Sequence, residues 1–445
     1  MPKRYAIVGT GGRCRMFLDA IAGQFGEHAM LVGLCDVSQT RMNYWNAHLA
    51  RAFERPPLPT YSADRFDEMV RECRPDVVIV TTVDAFHARY VVRAMELGCD
   101  AISEKPMTID ATQTRAIFDA IARTGRSLRV AFNYRYQPAF TKLREIVASG
   151  EIGRVTSVDF QWYLDTSHGA DYFRRWHREM HSSGGLLVHK STHHFDLVNF
   201  WVASYPKTVF AMGDLKFYGR ANAEARGEHY AYQRYTGSPE AKGDPFALFL
   251  DGEGSSGSKS TDALRGLYLN AEADSGYIRD RNVFGNAPPI DIYDTHAVMV
   301  RYRNNVVLNY SMFAYCPWEG ERVTINGTGG QVEYFARGRG HVIRGQGDAD
   351  LAAEQYQGEK HLRLQKLFQA PQTLEIPTAK GGHGGGDPLM LERLFVPGLP
   401  PDPLGRAATH VDGAASVLVG AAANQSIATG LPVQIDDLMP LPKRE

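Results

Sequence analysis

Three histidines fall within six residues in the stretch GGLLVHKSTHHFD, 184–196: His189, His193 and His194, with Lys190 among them and Asp196 just behind. If the stretch is helical, His189 and His193 stand one turn apart on the same face. Two imidazoles so placed can divide acid–base work, one taking a proton while the other orients it or passes the proton on. They can hydrogen-bond neighbouring hydroxyls of a sugar. They can also ligate a metal, but that needs a third ligand, for which His177, His181 and Asp196 are the nearest candidates, and no metal is expected. Histidine suits proton transfer near neutral pH because its ordinary pKa is about 6.5.

A second set lies at the N-terminal end. VGTGGRC, 8–14, follows an apolar strand pattern and opens a helical one. Gly9 permits the tight turn and Gly11 lets the backbone approach a pyrophosphate. The helix start adds N–H donors and a partial positive charge. Cys14 stands where a third glycine is common, and Gly12 is the nearest substitute. Asp36 ends the next strand pattern about 25 residues after Gly11, where an acid binds the ribose diol of an adenosine. An acid there repels a 2′-phosphate, so NAD is expected rather than NADP, with Arg41 the residue that keeps NADP open.

Two further stretches could touch substrate. In DYFRRWHREMHSS, 171–183, Tyr172, Arg174, Arg175, Trp176, His177 and Arg178 crowd aromatics and donors together. They could form a wall for a sugar ring, with guanidinium forks for hydroxyls or a carboxylate, or simply a solvated basic turn. In GGHGGGDP, 381–388, the glycines allow close backbone approach, and His383 and Asp387 supply polar tips.

The elements that must carry these residues alternate. RYAIVG (4–9), MLVGLCD (30–36), PDVVIVTT (75–82), CDAISEKP (99–106) and LRVAFNYR (128–135) read as strands, separated by helical patterns at 38–53, 87–97 and 110–124. PDVVIVTT is a continuous apolar run, as expected of a strand buried on both faces. Such alternation predicts a doubly wound parallel sheet over 1–135. Past 136 the rhythm changes. VTSVDFQWYLD (155–165) alternates with one wet face, a helix is expected over 185–202, and 295–315 reads as a hairpin around RNN. Residues 136–445 are therefore expected to form an α+β domain with a large open, mostly antiparallel sheet. Residues 219–285 read as a long irregular surface insertion, and helices within 385–430 are expected to pack back.

Composition excludes several classes. Lys plus Arg number 49 against 50 Asp plus Glu, so no charge excess favours nucleic acid or an anionic membrane. No uncharged apolar run approaches membrane-spanning length. The strand pattern begins by residue 5, so no secretory leader is expected. The five cysteines are scattered, odd in number and without CxxC, as suits reduced thiols in a cytoplasm.

AIVGTGGRC, TTVDAFH, SEKP and FNYRY are similar, in order and spacing, to the N-terminal half of the Gfo/Idh/MocA oxidoreductases, the glucose–fructose oxidoreductase and inositol dehydrogenase relatives. The resemblance spans about 1–200, returns at 295–335 and 381–395, and fades across 219–285. It implies a Rossmann domain and a C-terminal α/β domain whose open sheet often builds a homo-oligomer, dimer or tetramer. It places Glu104 and Lys105 at the nicotinamide and the substrate hydroxyls, with Pro106 holding their turn through a cis bond. It also places His87, Asn133 and Arg135 near cofactor or substrate. Arg13 and Thr81, inside the matched motifs, are counted with the cofactor cradle. The family pattern GG-x-L-x-D-x-G-x-H-x-x-D fits 184–196 except that His189 replaces the aspartate and Ser191 the second glycine. His193 aligns with the family's catalytic histidine.

The resemblance thus implies an NAD(P)-dependent dehydrogenase acting on a secondary hydroxyl of a sugar, glycoside or polyol. His193 is the expected acid/base, with Lys105 and His189 as partners. Arg135, Tyr172, Arg175, Trp176, His177 and His383 are the expected substrate contacts. The alternative is an NAD-dependent glycosidase that oxidises transiently, eliminates the aglycone and reduces back; His189 could then serve as its extra base.

Overall fold

The computed structural model describes residues 1–251, 260–339 and 358–443. Packing divides the chain into two units. The first comprises Met1–Gln137, Ser258–Ile278 and Lys380–Ala414; the second comprises Pro138–Gly257, Arg279–Ala379 and Ala415–Glu445. A boundary at 135/136 assigns 258–278 and 380–414 to the second domain, whereas both pack with the first.

The first unit holds a six-stranded parallel sheet: β1 (Lys3–Val8), β2 (Ala29–Asp36), β3 (Thr60–Ser62), β4 (Val77–Val80), β5 (Asp100–Ser103) and β6 (Leu128–Val130), in the order β3-β2-β1-β4-β5-β6. The helices α1 (Arg15–Ala22), α2 (Gln39–Phe53), α3 (Phe66–Cys73), α4 (His87–Glu96) and α5 (Ala111–Thr124) connect the strands. All four residues of β4 are buried, which explains its unbroken apolar run. The ends of α2 and α5 are set by side chains: Ser38 Oγ accepts from Arg41 N–H at 3.2 Å and Asp110 Oδ1 from Gln113 N–H at 2.7 Å. Three-residue β3 is too short to show a period. β6 stops at Val130 rather than Arg135, because Asn133–Tyr136 coil into a single 3-10 turn.

The second unit is built on a nine-stranded sheet: β7 (Val155–Asp165), β8 (Pro206–Asp214), β9 (Thr295–Tyr302), β10 (Val307–Cys316), β11 (Glu319–Gly327), β12 (Gly330–Arg339), β13 (Glu359–Lys366), β14 (Gln372–Leu374) and β15 (Val433–Gln434). Their order is β14-β13-β12-β11-β7-β10-β9-β8-β15, antiparallel except where β7 meets β10. Five helices follow in turn: α6 (Pro138–Ser149), α7 (Thr166–Arg174), α8 (Met180–Ser183), α9 (Leu186–His189) and α10 (Thr192–Trp201). The single helix expected over 185–202 is broken. Ser191 N–H reaches back to Leu186 O at 2.9 Å and His193 N–H to Lys190 O at 3.3 Å, so the four-residue ladder slips at 190–191. Every residue of α10 is buried. Such a helix shows no polar face from which its limits could be read.

The insertion expected over 219–285 is irregular but not a surface excursion. Tyr235, Leu250 and Phe284 are almost wholly buried, and short helical turns punctuate it. Its glycine–serine centre, 252–259, lies outside the described residues. Among the described residues, no helix is long and apolar enough to cross a membrane.

Candidate active site

In the first unit, the turn after β1 is fixed from below. Gly9 has φ +87°, and a Cβ there would sit 2.5 Å from Thr82 N, so only glycine fits. Thr81 Oγ1 donates to Gly9 O at 2.5 Å, tying the end of β4 under the turn. The space outside Gly11 is open: a Cβ there meets nothing within 4 Å. A single 3-10 turn, Gly12–Cys14, leads into α1, the strand–glycine turn–helix order of a phosphate cradle. The residues present therefore fit a dinucleotide. Asp36, buried at the end of β2, accepts from Thr10 N–H and, at 2.9 Å, from Ser38 N–H.

The Glu104–Lys105 turn follows β5, and its Lys105–Pro106 bond is cis. Arg13 Nε grips Glu104 Oε1 at 2.5 Å, and Glu104 Oε2 accepts from Lys105 N–H at 3.1 Å. One side chain of the cradle thus orients the carboxylate beside the lysine. The ring of His87 is buried, with Nδ1 2.7 Å from Pro106 O and Nε2 3.2 Å from Thr82 O. Burial lowers its pKa. His87 braces two turns of the cradle from inside.

Asn133 Nδ2 donates to Asp387 Oδ1 at 2.6 Å, and His383 Nδ1 lies 2.9 Å from the other oxygen of the same carboxylate. Burial raises the Asp387 pKa, but His383, Arg13 and Asn133 outweigh it and hold the carboxyl below its ordinary value. The glycines of 381–386 serve close approach of chain to chain: a Cβ at Gly386 would stand 2.4 Å from Asn133 O. The 382–395 helix accordingly begins with non-helical residues at 383–385. Arg135 is buried, with one guanidinium nitrogen 3.0 Å from Asp412 Oδ1. Its fork is therefore turned to its own chain, not opened to a ligand.

In the second unit, β7, β11 and the α7–α10 region bring together the histidines, aromatics and acids. His189 is buried in a ring cage: His177 at 4.1 Å, Tyr172 at 5.5 Å and Trp176 at 5.7 Å between centroids. Trp176 in turn stacks on His177 at 3.6 Å. His193 is buried near the start of α10. His194 stacks on Trp162 at 4.2 Å, with Nδ1 2.7 Å from Tyr310 Oη. Lys190 Nζ lies 4.9 Å from the centre of the Trp162 ring. His168 joins Glu319 (2.7 Å) to Tyr172 (3.0 Å). Burial raises the Glu319 pKa, but His168 and Lys190 outweigh it, and the carboxyl sits below its ordinary value. Glu321, two residues on and buried, goes the other way. Burial, then the neighbouring Glu319 charge, push it up to about 8. One acid is charged and its neighbour protonated at neutral pH, a division that suits proton handling.

The arginines of 171–183 are not a solvated face. Arg175 pairs with Asp171 at 2.5 Å, Arg279 with the same carboxylate at 2.8 Å, and Arg174 donates to Phe246 O at 3.0 Å. Arg178 donates to Asn282 O and Gly285 O at 3.2 and 2.9 Å. These forks tie the irregular segment to the 171–178 stretch. Burial raises the Asp171 pKa, yet the three arginines around it keep the carboxyl well below its ordinary range.

Sequence reasoning missed Trp162, His168, Glu319 and Glu321. A signal existed for the acids: Glu319 and Glu321 share one face of β11 with Val323 and Ile325, an odd place for carboxylates. Among the described residues no group of three or more His, Cys, Asp or Glu is placed to hold a metal ion.

A doubly wound sheet with a glycine cradle, joined in one chain to a large mixed sheet, defines a dinucleotide-binding oxidoreductase. Residues 3–132 match the NAD-binding Rossmann fold of an oxidoreductase family, and 144–435 match that family's C-terminal alpha/beta domain. The chain belongs to this family, Gfo/Idh/MocA. It is 37% identical over 427 residues to the YteT protein of Bacillus subtilis strain 168, covering 95% of each chain. It is 30% identical over 136 residues to an inositol 2-dehydrogenase of Rhizobium meliloti, covering 31% of this chain and 39% of that one. Its fold matches the WlbA dehydrogenase of Bordetella pertussis, solved with NADH and UDP-GlcNAcA, at TM-score 0.62 and 16% identity, over 99% of this chain and 100% of that one.

Proposed function

We propose that this chain is an NAD-dependent oxidoreductase that takes a hydride from a secondary hydroxyl of a sugar, glycoside or polyol. The observation that carries the reading is the Arg13–Glu104–Lys105 turn in the same unit as the glycine turn after β1, in a family with inositol dehydrogenases among its members. Bound NAD supplies the hydride acceptor. His193 removes the hydroxyl proton as the hydride leaves, and Lys105 steadies the negative charge that develops on that oxygen. His189 assists His193, and its cage of Tyr172, Trp176 and His177 gives the flat apolar surface that suits a sugar ring. Asp36 binds the ribose diol, while Glu104 and Asn133 hold the nicotinamide end. Five free, buried cysteines suit a cytoplasmic protein. Met212 and Met299, exposed on one face of the nine-stranded sheet, suit a homo-oligomer built through that face.

The test is direct. Purified protein is mixed with NAD and a panel of sugars, polyols and aryl glycosides, and both NADH absorbance and aglycone release are followed. Stoichiometric NADH supports the dehydrogenase; aglycone without net NADH replaces it with the NAD-recycling glycosidase. His193→Ala is expected to lower kcat by at least about 100-fold while NAD affinity stays within about twofold. Unchanged turnover in that variant removes His193 from the chemistry.

A further inference from the structure

One segment of the first unit lies on its nucleotide cradle. Gly12 N–H, a phosphate donor of the cradle, donates instead to Tyr268 Oη at 3.1 Å. At the start of α2, Asp274 Oδ1 accepts from Ser38 Oγ at 2.6 Å, and Oδ2 accepts from Thr40 N–H at 2.9 Å. Burial raises the Asp274 pKa, but these bonds outweigh it, so the group is a carboxylate. The same segment ties down Arg41. Its Nε donates to Leu267 O at 2.9 Å, and its guanidinium lies 5.2 Å from the Tyr277 ring centre. Arg41 also stands 3.7 Å from Asp36.

These groups lie along the path of an adenosine diphosphate. Asp36 marks the ribose hydroxyls, and Ser38 N–H donates to it. The donors just beyond, Ser38 Oγ and Thr40 N–H with Arg41 beside them, are those a 2′-phosphate would need. Here a carboxylate of the chain itself already fills them, and the nearby arginine is turned to a carbonyl and an aromatic ring. Asp36 already disfavours a 2′-phosphate by its charge, and Asp274 adds a second carboxylate that occupies the donors beside the ribose.

We infer that Asp274 is a coenzyme-selecting residue: its carboxylate occupies the place of a 2′-phosphate on Ser38 and Thr40 and excludes NADP. The inference rests on the dinucleotide reading above. Tyr268 plays a different part, because the pyrophosphate it faces is common to both coenzymes. The two residues therefore predict different patterns.

The test is binding of NAD and NADP to the full chain by calorimetry, for wild type, Asp274→Asn, Asp274→Ala and Tyr268→Phe, with melting temperature recorded for each. Wild type is expected to bind NAD at least tenfold more tightly than NADP. Both Asp274 variants are expected to strengthen NADP relative to NAD by tenfold or more. Tyr268→Phe is expected to shift both coenzymes by the same factor. An NADP/NAD ratio unchanged within twofold in an Asp274 variant that melts like wild type overturns the inference. So does a wild type that binds NADP as tightly as NAD, a measurement that needs no variant. A wild type that binds neither dinucleotide overturns the proposed function first, and this inference with it.

Discussion

The cradle of the first unit and the ring cluster of the second are built by different means. The cradle is mostly backbone: a left-handed glycine, a helix start, and carbonyls that take Thr81 and His87. Few side chains could change its shape. The cluster is mostly side chains, drawn from β7, α7, α9, α10 and β11, and its charges are set by neighbours far away in sequence. A site of the first kind tolerates exchange of nearly everything except its glycines. A site of the second kind can be retuned one residue at a time. His189, which the resemblance places where the family pattern has an aspartate, sits among Tyr172, Trp176 and His177, a place where such a retuning can act.

The largest effect should come from breaking the backbone site. Gly9→Ala forces a Cβ to within 2.5 Å of Thr82 N at φ +87°. The left-handed backbone alone costs about 1–2 kcal/mol, and the steric clash adds to it. Dinucleotide affinity is expected to fall by about 100-fold or more, with a clear loss in melting temperature. Gly11→Ala is the sharper partner experiment. Its Cβ meets nothing within 4 Å and its φ is −68°, so the variant should melt like wild type yet bind dinucleotide weakly. Equal melting losses in both variants would show that the two glycines do the same structural work.

The same contrast governs how much of the molecule is legible in its sequence. Strands β1, β2, β4 and β5 and the cradle are legible because their signals are local: an apolar run, a glycine turn, an acid at a strand end. The parallel sheet followed by a second, mostly antiparallel one is legible from alternation. The helix break at 190–191 is not, and the residue there bonds to a partner on β10, Tyr310, over a hundred residues away. Nor is the fate of the arginines near 175, whose acceptors lie beyond residue 240 or are shared with Arg279. Segment 258–278 reads as solvated because it is rich in polar residues. Its Tyr268, Asp274 and Arg41 contacts exist only once the chain has folded back. Histidines 189 and 193 stand out in the sequence by their spacing, and both are buried, but the cage around His189 is tertiary.

A smaller effect should come from the tuned side of the comparison. Glu321 has a folded pKa of about 8, against an ordinary value of 4.5. Between those values the folded chain holds a proton that the unfolded chain releases. Stability from this group is thus fully present below about pH 4.5 and declines as pH rises from there through about 8. The slope is at most about 1.4 kcal/mol per pH unit. Glu321→Gln keeps the neutral shape and removes the titration. Its melting temperature is expected to gain on wild type steadily between about pH 5 and pH 8. Parallel curves for the two proteins would mean that Glu321 is charged in the fold, and that the division of labour with Glu319 is absent.

The smallest effect tests whether a departure from the family pattern belongs to the fold or to the chemistry. Ser191 stands where the family has glycine, and its hydroxyl lies 2.9 Å from Tyr310 Oη, whose oxygen is also 2.7 Å from His194 Nδ1. In that arrangement the serine serves the fold, fastening the slipped turn between α9 and α10 to β10. Ser191→Gly restores the family residue and should cost about 1–2 kcal/mol, one buried hydrogen bond plus the greater freedom of glycine. The expected readout is a fall of a few degrees in melting temperature, with turnover within about twofold of wild type. A tenfold loss of turnover at unchanged melting temperature would instead place Ser191 in the proton path. The His193 region would then be retuned at two positions of its motif rather than at His189 alone.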